Sequence, residues 1–397
     1  VFGSIINMPV HREIETGRSN KKERLYTMKD ISRHGGLCLI VLKGARELGV
    51  LVDSRVKALR NEEDSELSYI LPMEEIRFAN GEGKVKLGES VRGKDIYILV
   101  DVGNYSTTYP MFGYENHMGP DEHYQDVKRV LSAIGGKANR VSIIMPLLYA
   151  SRQHKRKGRE SLDCALALRE LENLGVDAII SFDVHDPTIH NAIPNSSFEN
   201  IFPTYSMLKS FIANEGNNIL KDNMIVISPD TGAMDRAVYY AGVLGVDVGM
   251  FYKRRDHTKI VNGKNPIVQH EYIGGTLEGK KVMIVDDMIA SGESIVDIIT
   301  EISSRNVAEI YVACTFALFT EGVEKYDKLF EEGKLKKLYT TNLSYIPAEV
   351  KARPWFVEVD LSKFIAKIIN TLSHDESISP LLDATTRIRR LLKSASH

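Results

Sequence analysis

Asp286 and Asp287 stand side by side after the apolar run Val282–Val285, and Ala290-Ser291-Gly292-Glu293-Ser294 follows shortly, opening an amphipathic stretch. An apolar run of that length reads as a buried strand and the stretch after it as a helix, so the serines and Gly292 fall at a strand-to-helix turn. Such a turn offers successive backbone N–H groups and a helix N-terminus to an anion. Gly292 lets the backbone come close, and the Ser291 and Ser294 hydroxyls add donors. The two carboxylates repel a phosphate but suit sugar hydroxyls or Mg²⁺. The segment describes a site for a phosphorylated sugar. Its competing reading is a capped βα turn, since Ser and Asp favour helix starts for local reasons as well.

Other residues able to do chemistry recur at the ends of apolar runs. Val226-Ile227-Ser228-Pro229-Asp230-Thr231-Gly232-Ala233 places the Asp230 carboxylate near Gly232, which permits backbone approach to phosphate oxygens, whereas Ala233 disfavours positive φ. Phe182-Asp183-Val184-His185 carries a histidine just past a strand-like run. Ser151-Arg152-Gln153-His154-Lys155-Arg156 offers guanidinium groups, whose planar fork suits bidentate phosphate binding. In Tyr252-Lys253-Arg254-Arg255, Lys253 and Arg255 alternate along an extended segment, which predicts that both point to one side. Arg77-Phe78-Ala79-Asn80-Gly81-Glu82 reads either as a plain β-turn around Asn80-Gly81 or as a turn that presents the flat face of Phe78 and the hydrogen-bonding groups of Asn80 and Glu82 to a ligand.

These residues need a scaffold that brings them together. Strand-like runs at Leu37–Leu42, Ile96–Val100, Val141–Met145, Ala178–Phe182, Met224–Ile227, Val246–Phe251, Val282–Val285 and Ile310–Thr315 alternate with helix-length amphipathic segments. Among the latter are Asp121–Ile134, Leu162–Leu174, Asp235–Leu244 and Ser294–Ser304. This βα rhythm predicts an α/β fold of mostly parallel sheets flanked by helices, with ligands at the carboxyl ends of strands. The 397 residues exceed one ordinary domain. The polar, proline-bounded segment Asn195–Pro203 is the expected junction, dividing the chain into residues 1–203 and 204–397. The polar first thirty or so residues and the basic amphipathic stretch Asp383–His397 read as surface or oligomer-contact extensions.

A net charge of −2 gives no general electrostatic reason to bind nucleic acid. Cys38, Cys164 and Cys314 are far apart and flanked by apolar residues, which suits buried thiols in a reducing compartment better than a zinc site or disulfides. No apolar run reaches the length of a membrane span, and the N-terminus is too polar for a signal peptide, so a cytoplasmic enzyme is expected.

The segments around Phe78, Arg152, His185, Asp230, Lys253 and Asp286, together with Glu89-Ser90-Val91-Arg92-Gly93-Lys94-Asp95, resemble in type and order the motifs of the ribose-phosphate pyrophosphokinase (PRPP synthetase) family. The resemblance implies two phosphoribosyltransferase-like domains, an ATP side followed by a ribose 5-phosphate side. It implies a reaction in which the β,γ-diphosphate of Mg-ATP passes to ribose 5-phosphate, giving PRPP and AMP. By the same resemblance, Phe78, Asn80 and Glu82 hold the adenine of ATP bound in a neighbouring subunit, hence a homo-oligomer, dimer or hexamer. Arg152 and Gln153 contact ATP, and His185 and Asp230 help place Mg²⁺. Lys253 and Arg255, at the start of a flexible loop over 256–269, act with His185 in catalysis. Asp286, Asp287, Ala290, Ser291, Gly292, Glu293 and Ser294 bind ribose 5-phosphate.

The chain departs from that pattern in several places. Asn80 and His154 each replace Asp, and Ala233 replaces a second Gly. Asp186, Thr188, His190 and Asn191 stand where Ser or Ala, Gln, Gln and Gly are expected, and Asn104–Pro120 is an insertion. Two alternatives follow. A regulatory paralogue that binds nucleotide without turnover would suit the departures after His185. A phosphoribosyltransferase using PRPP would share the sugar-phosphate loop but would need neither the Phe78 hairpin nor the Arg152-Gln153 segment nor a second domain.

Overall fold

The structure, a computed structural model, describes residues 36–63, 66, 68–156, 158–216, 223–255 and 267–394, with the backbone alone for 253–255, 267–270 and 394. The N-terminal extension and residues 256–266 of the loop after Arg255 lie outside the described residues.

In chain order the first half comprises β1 (Leu37–Val41), α1 (Arg46–Leu59), the hairpin β2 (Met73–Arg77) and β3 (Gly83–Leu87), and β4 (Asp95–Leu99). A second hairpin, β5 (Thr108–Met111) and β6 (Tyr114–His117), is followed by α2 (Pro120–Ile134), β7 (Arg140–Ile144), α3 (Asp163–Asn173), β8 (Ala178–Phe182) and β9 (Ser197–Ile201). Five strands form a parallel sheet in the order β1-β4-β7-β8-β9. Strands β1 and β4 are buried along their whole length, which is why Leu37–Val41 shows no polar alternation: a strand covered on both faces has no solvent side. Helix α2 starts at Gly119-Pro120, where the Gly119 N–H donates to Glu122 Oε2 at 2.9 Å. It ends at Gly135, whose φ of +58° supplies the left-handed cap.

The second half comprises α4 (Thr204–Glu215), β10 (Met224–Ser228), α5 (Met234–Leu244), β11 (Asp247–Arg255), β12 (Ile267–Ile273), β13 (Lys281–Ile289) and α6 (Glu293–Ser303). It continues with β14 (Glu309–Ala317), α7 (Glu324–Glu331), β15 (Lys337–Thr341), α8 (Ala348–Lys351), β16 (Phe356–Val359), α9 (Ser362–Ser373), α10 (Ser379–Leu382) and α11 (Thr385–Ser394). The sheet order is β12-β11-β10-β13-β14-β15-β16, parallel except for the β11–β12 pair. From β10 the chain proceeds outward to β11 and β12, and from β13 it proceeds the other way to β14. The boundary between β10 and β13 is thus a topological switch point, and the crevice at the carboxyl ends of these strands is where an open α/β sheet receives a ligand.

The two sheets are tied together. Helix α9 returns to pack on α1, with Arg60 donating to Asn370 Oδ1 at 2.9 Å and to Ser373 Oγ at 2.7 Å. Asp101, beyond β4, accepts from Gly103 N at 2.9 Å, from Ser344 Oγ at 2.9 Å and from Tyr345 N at 2.8 Å, so one buried carboxylate holds a loop of the other sheet. Burial pushes this carboxyl up from 3.8 to about 6, against the pull of its three donors.

Several elements differ from the sequence expectation. Ser197–Ile201 is the edge strand β9 rather than linker, because Ile201 is buried and the segment completes the parallel sheet beside β8. Strand β13 does not stop at Val285 but runs through Asp286, opposite Cys314, to Ile289, so the carboxylates sit on the strand itself. Ile267–Gln269 of the expected loop belong to β12, whose pairing with β11 carries a register shift between Arg254 and Arg255. The insertion is the β5–β6 hairpin, docked on the Phe78 turn by a bond from Phe112 N to Ala79 O of 2.8 Å. The C-terminal stretch forms α11, whose buried Ile388 faces the body against α4 and α5. All three cysteines are free and buried. Among the described residues no helix is long and apolar enough to cross a membrane.

Candidate active site

At the switch point lies a cleft of about 290 Å³. The second sheet contributes Asp286, Asp287, Ala290, Ser291, Gly292 and Ser294 from β13 and the turn after it, and Asp230 from the end of β10. Arg152 and His185, from loops of the first sheet, form the facing wall. Nine of the residues singled out from sequence thus share one cavity although they come from four separated segments. Glu293 is exposed in the first turn of α6 and does not line the cleft, and Gln153 is exposed beside it. Phe78, half-exposed on its hairpin, stands apart with Asn80 and Glu82, and Asn80 Oδ1 accepts from Glu82 N at 3.2 Å within the turn. The side chains of Lys253 and Arg255 lie outside the described residues.

The Ser291–Ser294 turn has the geometry of a phosphate cradle. Gly292 is the N-cap of α6 with a φ of +80°, and a Cβ there would meet Tyr326 Oη, so both its conformation and its surroundings require glycine. Helix α6 then presents its N-terminus to the cleft. In the loop after β10, Asp230 Oδ1 accepts from Gly232 N at 2.8 Å, closing the turn ahead of α5. Ala233, where a glycine was expected, has φ −92°, an ordinary value that places no demand for glycine on that position.

His185 joins the two walls. Its Nδ1 lies 2.8 Å from Asp287 Oδ2, across the boundary between the sheets. The hydrogen bond raises the His185 pKa above its usual value. Burial would push Asp287 up, but the bond to His185 and the charge of Arg236 outweigh it and bring this carboxyl down to about 2. Asp286 goes the opposite way, held well above the usual range by burial and by the charge of Asp287 beside it. Two adjacent carboxylates in a confined cleft resist double ionisation, and a divalent cation relieves that resistance. No group of three or more potential ligands converges as a closed metal cage among the described residues. That donor set fits Mg²⁺, which takes one or two carboxylates and completes its shell with water and substrate phosphates.

Two residues left unassigned in the sequence reading prove central. Arg236, in the first turn of α5, donates from Nε at 2.9 Å and from Nη2 at 2.7 Å to Asp183 Oδ1, and its Nη1 stands 3.9 Å from Asp286. Asp183 is almost fully buried with φ +44° and also accepts from Thr315 Oγ1 at 2.5 Å. A cation in a helix's first turn runs against the helix dipole, and that is the sequence signal that would have pointed to Arg236.

Two departures from the family pattern meet in space. His154 Nε2 stands 3.1 Å from Asp186 Oδ2, and its ring lies 5.4 Å from that of His185. The contact sets an imidazole against a carboxylate next to His185 at the edge of the cleft.

A model of the N-terminal domain of ribose phosphate pyrophosphokinase matches residues 39–175, and a phosphoribosyl transferase domain model matches residues 199–348. The chain is 25% identical over 310 residues to the ribose-phosphate pyrophosphokinase of Maricaulis maris, covering 77% of this chain and 90% of that one. It is 27% identical over 312 residues to that of Oceanobacillus iheyensis, covering 77% and 88%. The fold is similar to the phosphoribosylpyrophosphate synthetase of Mycobacterium smegmatis, with a TM-score of 0.69 and 22% identity over 86% of this chain and 99% of that one. With both domain models matched in order and relatives of one name aligned over most of its length, the chain belongs to the ribose-phosphate pyrophosphokinase family, as a divergent member.

Proposed function

We propose that the chain catalyses transfer of a diphosphate group from Mg-ATP to ribose 5-phosphate, giving PRPP and AMP. The observation that carries this reading is the cleft between the sheets, where a phosphate cradle and an acidic pair from one half face Arg152 and His185 from the other. In the reaction the anomeric oxygen of the sugar bonds to the β-phosphorus. The bond from that phosphorus to the oxygen shared with the α-phosphate breaks, and AMP departs. No covalent enzyme intermediate is needed, so catalysis rests on alignment and on charge complementarity.

Ala290, Ser291, Gly292 and Ser294 hold the 5-phosphate, with Glu293 contributing the exposed side of the turn. Asp286 and Asp287 orient the ribose hydroxyls. Asp230 and His185, with the acidic pair, would hold Mg²⁺, which when bound cancels charge on the phosphate oxygens. Arg152 and Gln153 receive the ATP phosphates, and Lys253 and Arg255 stabilise charge developing on the transferred group. Phe78, Asn80 and Glu82 face outward and serve the adenine of a second copy, so the working form is a homo-oligomer, dimer or hexamer, in the cytoplasm. The division into residues 1–203 and 204–397 belongs to the same proposal.

A ³¹P NMR time course with Mg-ATP, with and without ribose 5-phosphate, tests the reading. Sugar-dependent formation of AMP together with a new diphosphate on the ribose is expected. Saturable binding of both ligands without turnover would favour a regulatory paralogue instead.

A further inference from the structure

A second cavity, of about 360 Å³, opens between α4, the end of β16, α9 and α11, and it shares no lining residue with the catalytic cleft. Four cations converge on it: Lys209 from α4, Lys363 and Lys367 from α9, and Arg387 from α11. None of them forms an ion pair among the described residues. The acidic groups on the same wall are committed elsewhere. Glu358 pairs with Lys351 at 2.7 Å, and Asp360 accepts from Ser362 N at 2.8 Å and Asn342 Nδ2 at 2.9 Å.

The cations crowd one another. Lys363 and Lys367 are spaced to share a helix face, where like charges are unfavourable. The pKa of Lys367 is lowered by burial and then by the charges of Lys363, Arg387 and Lys209. Arg387 places its guanidinium 4.9 Å from the Tyr205 ring centre and 5.9 Å from that of Phe364. Its Nη2 donates to Leu381 O at 2.6 Å, and its Nε is buried without a partner. Helix α4 starts at the cavity with no side-chain cap and no acid in its first turn, so the positive end of its dipole is left uncompensated there. The ring of Phe202, nearly half exposed, lines the same space.

We propose that this cavity is a non-catalytic binding site for a small organic phosphate with a flat ring system, the phosphate on Lys363, Lys367 and the start of α4 and the ring on Phe202. Converging cations without acidic partners and an uncapped helix start call for an anion, and an exposed aromatic ring beside them calls for a flat body attached to it. Because Arg387 reaches in from α11, the ligand also fastens the C-terminal helix to the body.

Hydrogen exchange of the full chain, followed by mass spectrometry with AMP or inorganic phosphate as probe, locates the binding. With AMP, exchange in residues 202–213, 362–372 and 385–393 is expected to slow about tenfold at a ligand concentration about ten times the dissociation constant. The double substitution Lys363→Glu, Lys367→Glu is expected to abolish that slowing while leaving in place any AMP protection of residues 78–82 and 151–154, where the nucleotide of the proposed reaction sits. No protection at 202–213, 362–372 and 385–393 in the unmodified protein, whatever is protected in the catalytic cleft, would overturn the site. Equal slowing by inorganic phosphate, or no loss of AMP protection with Phe202→Ala, would overturn the ligand class.

Discussion

Substituting Arg236 by Met removes the only cation that touches Asp183 among the described residues while keeping much of the side-chain volume. Asp183 is 3% exposed, so without Arg236 its carboxylate is left in the interior with the Thr315 hydroxyl as its remaining side-chain donor. Breaking a buried ion pair from one side costs about 3–5 kcal/mol, against a total stability on the order of 5–15 kcal/mol. Urea unfolding at pH 8 is therefore expected to show the Arg236→Met protein losing about a fifth or more of its stability. The double variant Asp183→Asn, Arg236→Met buries no charge, and the amide introduced at position 183 can still accept from Thr315, so this variant is expected to recover most of the loss. Its turnover is expected to stay low, since the cleft still lacks the cation. The pH dependence supplies a second check. Burial already holds the Asp183 carboxyl above 3.8, and losing Arg236 raises it further. A carboxyl whose folded pKa exceeds its unfolded value costs stability above the folded pKa and recovers it as pH falls, so the Arg236→Met deficit is expected to shrink between pH 8 and pH 5. A deficit under about 1 kcal/mol, or a double variant no more stable than the single one, would refute the argument.

Gly292→Ala forces a Cβ against Tyr326 Oη at φ +80°, a conformation costing an L-residue about 1–2 kcal/mol. The KM for ribose 5-phosphate is expected to rise, and adding Tyr326→Phe to recover only part, because the dihedral strain remains; full recovery would show the clash alone to matter. His154→Asp sets a second carboxylate against Asp186 and is expected to lower the melting temperature, with Asp186→Ser restoring it; no rescue would mean that the two departures are independent. For Asp101, a folded pKa of about 6 against 3.8 means that ionisation costs the folded state about 3 kcal/mol at pH 7 and nothing below pH 3.8. The unmodified protein is therefore expected to gain stability relative to Asp101→Asn as pH falls from 7 to 5, read from urea midpoints. A constant difference would remove Asp101 from the account.

The local order of this protein is legible along the chain because its signals are local. The run Val282–Val285, the carboxylates after it and Ser291-Gly292 mark a strand, an acidic edge and a glycine turn through side-chain type alone, and Gly292 does adopt the positive φ that such a turn needs. The same holds for the buried strands Leu37–Val41 and Met224–Ser228, whose unbroken apolar runs announce cover on both faces. Strand β9 and the hairpin β5–β6 were not legible. Each is short and polar, and each exists because a neighbour supplies its hydrogen bonds.

What the residues of this chain determine by themselves is therefore the list of chemical groups and the elements that carry them, since periodicity and turn chemistry act over a few residues. Which groups meet was decided by the tertiary structure. The pairing of His185 with Asp287, of Arg236 with Asp183 and of His154 with Asp186 each joins positions far apart in sequence, and each depends on how strands order themselves around the switch point. Charges acquire their roles only in that packing, because burial and distance set the strength of an electrostatic interaction and neither is written in the spacing of residues along a chain.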